Sequence, residues 1–181
     1  EYHGNVFEFL RNSSLDANGF FRNRNLSTAT RTGFKRNIFG GTFGGPIIQD
    51  KLWWFGTYRT QKNAIAQPSF AFDKTFDTKL WNAVGKLTYQ VNQNNKVIGY
   101  YQWGQKSQPN RLTDAGYTYA TEGSTNLQDS GSWVYKGEWN GTVSDKLYLE
   151  ARFGDFGYYF PLLTNGTDDF WIRDTGALTA F

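Results

Sequence analysis

The sequence predicts an all-β chain: an antiparallel, membrane-crossing β-barrel segment of about seven or eight strands, with short turns on one side and long loops on the other. Three observations predict it. The first is alternation. From Trp133 to Val143 every second residue is apolar or glycine (Trp133, Tyr135, Gly137, Trp139, Gly141, Val143), and the residues between are mostly polar. A period of two is an extended strand with one apolar and one wet face. The second is loop length. Turns of about three or four residues alternate with loops of roughly 12 to 24, a division outer-membrane barrels make between their two ends. The third is strand length. About 11 residues at ~3.3 Å each, tilted by ~40°, cover ~28 Å, close to the ~25 Å apolar band of such barrels.

The elements follow in order. A first strand runs from about Gly4 to Arg11, with Phe7 and Phe9 on one face and Val6 and Leu10 on the other. A polar stretch, 12–35, follows, with room for a helical turn around Leu15–Phe21. Three hairpins come next. Asn37–Ile48 pairs with Leu52–Gln61 across Gln49-Asp50-Lys51. Trp81–Val91 pairs with Lys96–Lys106 across Asn92-Gln93-Asn94-Asn95, and Trp133–Val143 pairs with Leu147–Gly157 across Ser144-Asp145-Lys146. Asn, Asp and Ser mark the turns because they tolerate left-handed dihedrals or bond their own backbone. An eighth strand is expected near Phe170–Arg173.

Composition removes several function classes. One histidine, His3, and no cysteine leave nothing from which to build a zinc cluster or a nucleophilic triad. No cofactor is implied, and the chain reads as a non-enzyme. A formal net charge of +3 demands no nucleic-acid partner. The mean hydropathy of −0.61 suits a barrel, in which only alternate residues meet lipid. The run Gly40-Gly41-Thr42-Phe43-Gly44-Gly45-Pro46 lacks the Gly-Lys-Ser/Thr ending of a phosphate loop and lies in a strand. Asp168-Asp169 beside Trp171 match no calcium-loop spacing, and Glu138 with Glu150 read as alternating wall charges.

Two strings carry a family resemblance: EYHGNVFEFLRNSSLDANGFF at Glu1–Phe21, and KRNIFGGTFGGPIIQDKLWWFGTY at Lys35–Tyr58. They resemble the start of the barrel in TonB-dependent outer-membrane transporters, specifically the Oar-like group. Ile38 stands where glutamine is commoner there, and Trp53-Trp54 where phenylalanines are commoner. The resemblance is specific over residues 1–60 and persists as hairpin style over 81–158. It implies import of bulky nutrients (an oligosaccharide, peptide or metal chelate) with energy relayed by TonB, and a plug domain inside the barrel. The chain is then expected to be a partial barrel domain over 1–181, lacking the plug and the rest of the barrel, with targeting signals upstream.

The expected sites follow. Arg36, Asn37, Gly40, Gly41, Gly44, Gly45 and Pro46 carry the family motif and are expected to face the plug, the glycines leaving room for close backbone approach. Trp81, Leu87, Tyr89, Trp133, Tyr135, Trp139, Leu147, Leu149 and Phe153 are expected to face outer-membrane lipid. Lys86, Thr88, Gln90, Glu150 and Arg152 are expected to face the lumen. Arg22, Arg24, Arg31 and Lys35 form a basic run suited to loop contacts. The competing reading is a secreted, soluble β-sandwich that binds carbohydrate through surface aromatics. The discriminator is whether the apolar stripe is buried against a second sheet.

Overall fold

The computed structural model describes every residue except 18–19, 21–23, 25–32, 113–116, 168–172, 175, 177–178 and 181. Seven long strands form one antiparallel meander: β1 (His3–Asn12), β2 (Phe34–Ile48), β3 (Leu52–Ile65), β4 (Phe76–Asn92), β5 (Asn95–Arg111), β7 (Asn126–Ser144) and β8 (Leu147–Tyr159). Each pairs with its neighbour in that order. A short β9 (Leu162–Thr164) adds a second partner to the start of β7. Between β5 and β7 lies β6 (Tyr119–Ala120), which joins β10 (Arg173–Asp174) and β11 (Thr179–Ala180) in a separate three-stranded sheet. No helix among the described residues is long and apolar enough to cross a membrane, which says nothing of strands.

All three expected hairpins form, and their strands run further toward the long loops than the alternation indicates. The first hairpin turns through Gln49-Asp50-Lys51, where Lys51 N–H donates to the Ile48 carbonyl at 3.1 Å. Asp50 takes φ 57°, the left-handed conformation that aspartate tolerates. The strand expected near Phe170–Arg173 falls largely outside the described residues; what is described there is β10, in the small sheet rather than the meander. Of the expected turn at Leu15–Phe21, the structure describes a 3-10 turn at Ser13–Leu15, capped by the Asn12 side chain.

The register reveals how the strands are staggered. The partner of Leu52, at the first turn, is Tyr89, but the second hairpin closes at Asn92–Asn95. Its turn therefore lies three residues further along β4 and two along β5, the difference being a bulge. The third hairpin repeats the step: Asn95 pairs with Gly141, and the hairpin closes at Ser144–Leu147. An offset of about 8 Å over two strand spacings of about 4.8 Å corresponds to a tilt of about 40°. That lies within the 35–45° of closed barrels. Each residue then adds about 2.5 Å of depth along the barrel axis.

Candidate functional site

Because directly paired residues share a face, the register divides the whole sheet into two surfaces. One carries Leu52, Trp54 and Tyr58 of β3; Trp81, Ala83, Leu87 and Tyr89 of β4; Val97, Tyr101 and Trp103 of β5; Trp133, Tyr135 and Trp139 of β7; and Leu149, Ala151 and Phe153 of β8. All nine residues expected to meet lipid lie here, Leu147 sharing the parity of Leu149. The face is uncovered: Leu87 is 51% exposed, Tyr101 50% and Phe153 68%. The buried hydrophobics among the described residues are Tyr117 and Ala120, both in a loop region, whereas nine polar residues are buried. A soluble sandwich would bury its stripe. This chain is apolar outside and polar within.

Aromatic rings mark both limits of the apolar face. Trp81 and Trp133 each stand eleven residues from their turns, Asn92 and Ser144. Allowing for the bulge at each turn, that is about 25 Å of depth, the height of the apolar band in outer-membrane barrels. Trp103 stacks on Trp133 with centroids 6.1 Å apart, and the Trp81 indole N–H donates to Gln105 at 3.0 Å. Near the turns stand Trp54, two residues from Leu52, and Tyr89, three from Asn92, while the Trp139 indole, five residues up from Ser144, donates to the Asn95 side chain at 3.0 Å. Such rings have an apolar body and a polar tip and suit the headgroup zone. Above the upper girdle the face turns polar along the paired row Asn37, Lys62, Lys79, Ser107 and Asp129. Two carboxylates interrupt the apolar face: Glu8, to which the Asn37 side-chain amide donates at 2.6 Å, and Asp155, to which the Trp133 indole N–H donates at 3.4 Å.

The opposite face is polar and predominantly cationic. It carries Arg11, Arg36, Arg59, Lys86, Lys96, Lys106, Lys136 and Arg152, against Glu138 and Glu150. The whole chain is only +3. The two glutamates sit near the turn end of β7 and β8, where Arg152 joins them: its guanidinium is 2.7 Å from Glu150 and 3.6 Å from Glu138. That arrangement is a wall ion-pair cluster. Lys136 Nζ lies 4.7 Å from the Tyr100 ring centre, a cation–π distance. Toward the loops, the polar row is tied by side-chain bonds: Gln108 to Thr78 at 2.7 Å, Gln128 to Ser130 at 2.7 Å, and Arg111 to Gln128 at 2.5 Å.

The motif residues separate by parity. Arg36, Gly40, Gly44 and Pro46 lie on the polar face, whereas Asn37, Gly41 and Gly45 lie on the apolar one. The expectation that all seven face inward is corrected by the pleat, which turns successive residues to opposite sides. The glycines also serve their neighbours in the sheet. A Cβ at Gly40 would meet the Phe7 ring and the Tyr58 carbonyl, both at 2.7 Å, and one at Gly44 would meet the Trp54 carbonyl at 2.7 Å. The Tyr2 ring covers Gly45. Of the basic loop run, Arg22 and Arg31 lie outside the described residues, Arg24 is exposed, and Lys35 belongs to β2 on the outer face. Asp168, Asp169 and Trp171 also lie outside them.

The long loops are stitched together. Ala120 N–H donates to the Ser69 carbonyl at 2.7 Å, and Ala71 N–H to the Ala120 carbonyl at 2.9 Å. Asn165 links the last loop to the others, its side-chain amide donating to Pro109 O at 2.7 Å and to Thr125 Oγ1 at 2.8 Å. Lys74 pairs with Glu122 between two loops.

A family model described as an outer membrane beta barrel domain matches residues 1–74, the span of β1, β2 and β3. Comparison with curated proteins and with solved structures gives no match. The match and the two-faced sheet agree. The chain is a transmembrane β-barrel segment of the bacterial outer membrane, with membrane lipid around its apolar face.

Proposed function

We propose that this wall belongs to an active importer of the TonB-dependent type, with a plug domain in its lumen and energy relayed by TonB. The observation that carries the reading is the motif pair, which resembles the opening of such barrels and forms one contiguous unit of β1, β2 and β3. Ten consecutive pairs, His3–Gly44 to Asn12–Lys35, join its two halves. The matched outer-membrane model covers the same residues and supports the coarser part of the reading. Long loops bonded to one another at one end of the strands suit a protein that takes hold of a bulky solute outside the membrane. Bulky nutrients such as an oligosaccharide, a peptide or a metal chelate are the cargo class.

The experiment uses the full-length protein in its outer membrane. Site-directed crosslinking to TonB is measured with the lumen occupied and empty. A crosslink that strengthens on occupancy is expected. Absence of any crosslink, with the barrel correctly inserted, would remove TonB from the account and leave a passive outer-membrane barrel.

A further inference from the structure

We propose that the loop-side end of the polar face is a binding site for solutes carrying carboxylate or phosphate groups. Arg59 and Lys106 are its principal anchors. The proposal names the cargo class for the transport reading above and rests on that reading only in treating the solute as cargo.

Three observations carry it. First, a cavity of about 440 Å³ lies on this face, with Arg59, Gln61, Asn82, Lys106, Gln128 and Ser132 in its lining. The lining holds two cations and no carboxylate. Gly104 forms part of the floor; a Cβ there would meet Asn82 Nδ2 at 3.3 Å and Ser132 Oγ at 3.5 Å, so its absence keeps the amide and hydroxyl open from above. Tyr158 and Phe160 also line it and offer aromatic surface to a carbon skeleton.

Second, the charge is not neutralised locally among the described residues. Arg59 donates to the Gln61 side-chain oxygen at 2.8 Å, a neutral partner that leaves guanidinium N–H groups for a ligand. Arg111 lies within electrostatic reach of Lys106 and bonds Gln128, another neutral group. The glutamates of this face are remote. Glu138 lies eight residues down β7 from Ser130, the partner of Lys106, which is roughly 26 Å at about 3.3 Å per residue. That exceeds the screening length of about 8–10 Å in physiological salt. The carboxylates at the level of the cavity, Asp77 and Asp129, alternate onto the outer face, where Gln105 donates to Asp129 at 2.8 Å.

Third, the donors are of the right kind. A guanidinium binds a carboxylate or phosphate through paired N–H bonds, an ammonium adds a mobile point charge, and amides fill the remaining acceptor positions. Cationic rings in barrel lumens select anions for the same reason.

The test is titration calorimetry on the full-length protein in detergent. The probes are tricarballylate for carboxylate, inorganic tripolyphosphate for phosphate, spermine as a polycation and maltotriose as a neutral solute. Binding of either anion, weakened by added salt, with no heat from spermine or maltotriose, is expected; which anion binds identifies the source of the oxyanion. Removing two charge-assisted contacts in the Arg59→Gln/Lys106→Gln variant should weaken anion binding at least about tenfold. The Arg59→Glu/Lys106→Glu variant should acquire spermine binding. Lys86→Gln, on the same face but outside the cavity, should leave affinity within about twofold. Anion affinity that persists in the double glutamine variant, or spermine bound by the unaltered protein as well as the anions, overturns the proposal even where variants fold poorly. The transport reading fails separately. Anion binding without any TonB crosslink would remove that reading and keep this site.

Discussion

Leu87→Arg places a cation on the apolar face at a depth the register specifies. Leu87 is five residues from Asn92, and Trp81, at the upper girdle, is eleven. At about 2.5 Å of depth per residue along a strand tilted by about 40°, Leu87 stands about 10–12 Å above the turn, near the middle of a ~25 Å band. Arginine at that depth costs about 2–4 kcal/mol, falling to about 0–1 kcal/mol near either interface. Leu149→Arg supplies the internal comparison. Leu149 has the same face but lies two residues from Leu147, about 5 Å from the turn, so its cost should fall at the low end. The assay is urea-dependent unfolding of the full-length protein in lipid vesicles, followed by heat-modified gel mobility. The expected result is a difference of about 2 kcal/mol between the two variants. Equal costs, or a larger cost at Leu149, would refute the tilt and the depth scale drawn from the hairpin offsets.

Two glycines on the apolar face should respond oppositely to the same substitution. A Cβ at Gly131 would lie 2.5 Å from Tyr159 Cε1, so Gly131→Ala should cost about 1–3 kcal/mol in the same unfolding assay. Nothing lies within 4 Å of a Cβ at Gly137, so Gly137→Ala should be neutral or gain about 0.4–1 kcal/mol by restricting the unfolded chain. Equal effects at the two sites would show that ring placement over glycine is unimportant. Asn165→Ala removes the two side-chain bonds to Pro109 and Thr125, at a local cost of about 1–3 kcal/mol, and leaves the Asn165 N–H bonded to the Thr125 carbonyl at 3.0 Å. Limited proteolysis should cut the 112–125 loop faster in that variant, and an unchanged rate would show that the loops are held together by other contacts.

The hairpins were legible because two signals coincide in them: apolar residues at period two, and Asn, Asp and Ser at the turns. The strand ends near the long loops were not. At Lys62, Lys79, Ser107 and Asp129 the outer face no longer meets lipid, the alternation stops, and backbone pairing continues without it. The pairing of β6 with β11, and of Phe70 with Ala120, joins segments far apart in sequence and leaves no local signature. Membrane-facing residues could be read strand by strand, since each strand fixes its own parity. The cationic cavity could not. Arg59, Lys106 and Gln128 look like isolated wall residues until the register sets Gln61 and Leu80 beside Lys106 and Ser130. The glycine-rich motif was misjudged for a related reason, because a run of glycines suggests one smooth surface whereas the pleat divides it between two.

The central claim is that the sheet turns one face to lipid and the other to an aqueous lumen. Residues 1–181 contain no cysteine, so once any cysteine elsewhere in the full-length protein is replaced, single cysteines can be placed at successive positions from Val97 to Trp103 and labelled with a fluorophore. Quenching is then compared between brominated lipid and a water-soluble quencher. Lipid should quench at positions 97, 99, 101 and 103, and water at 98, 100 and 102. Quenching that does not alternate, or that alternates in the opposite phase, would contradict the assignment of the two faces.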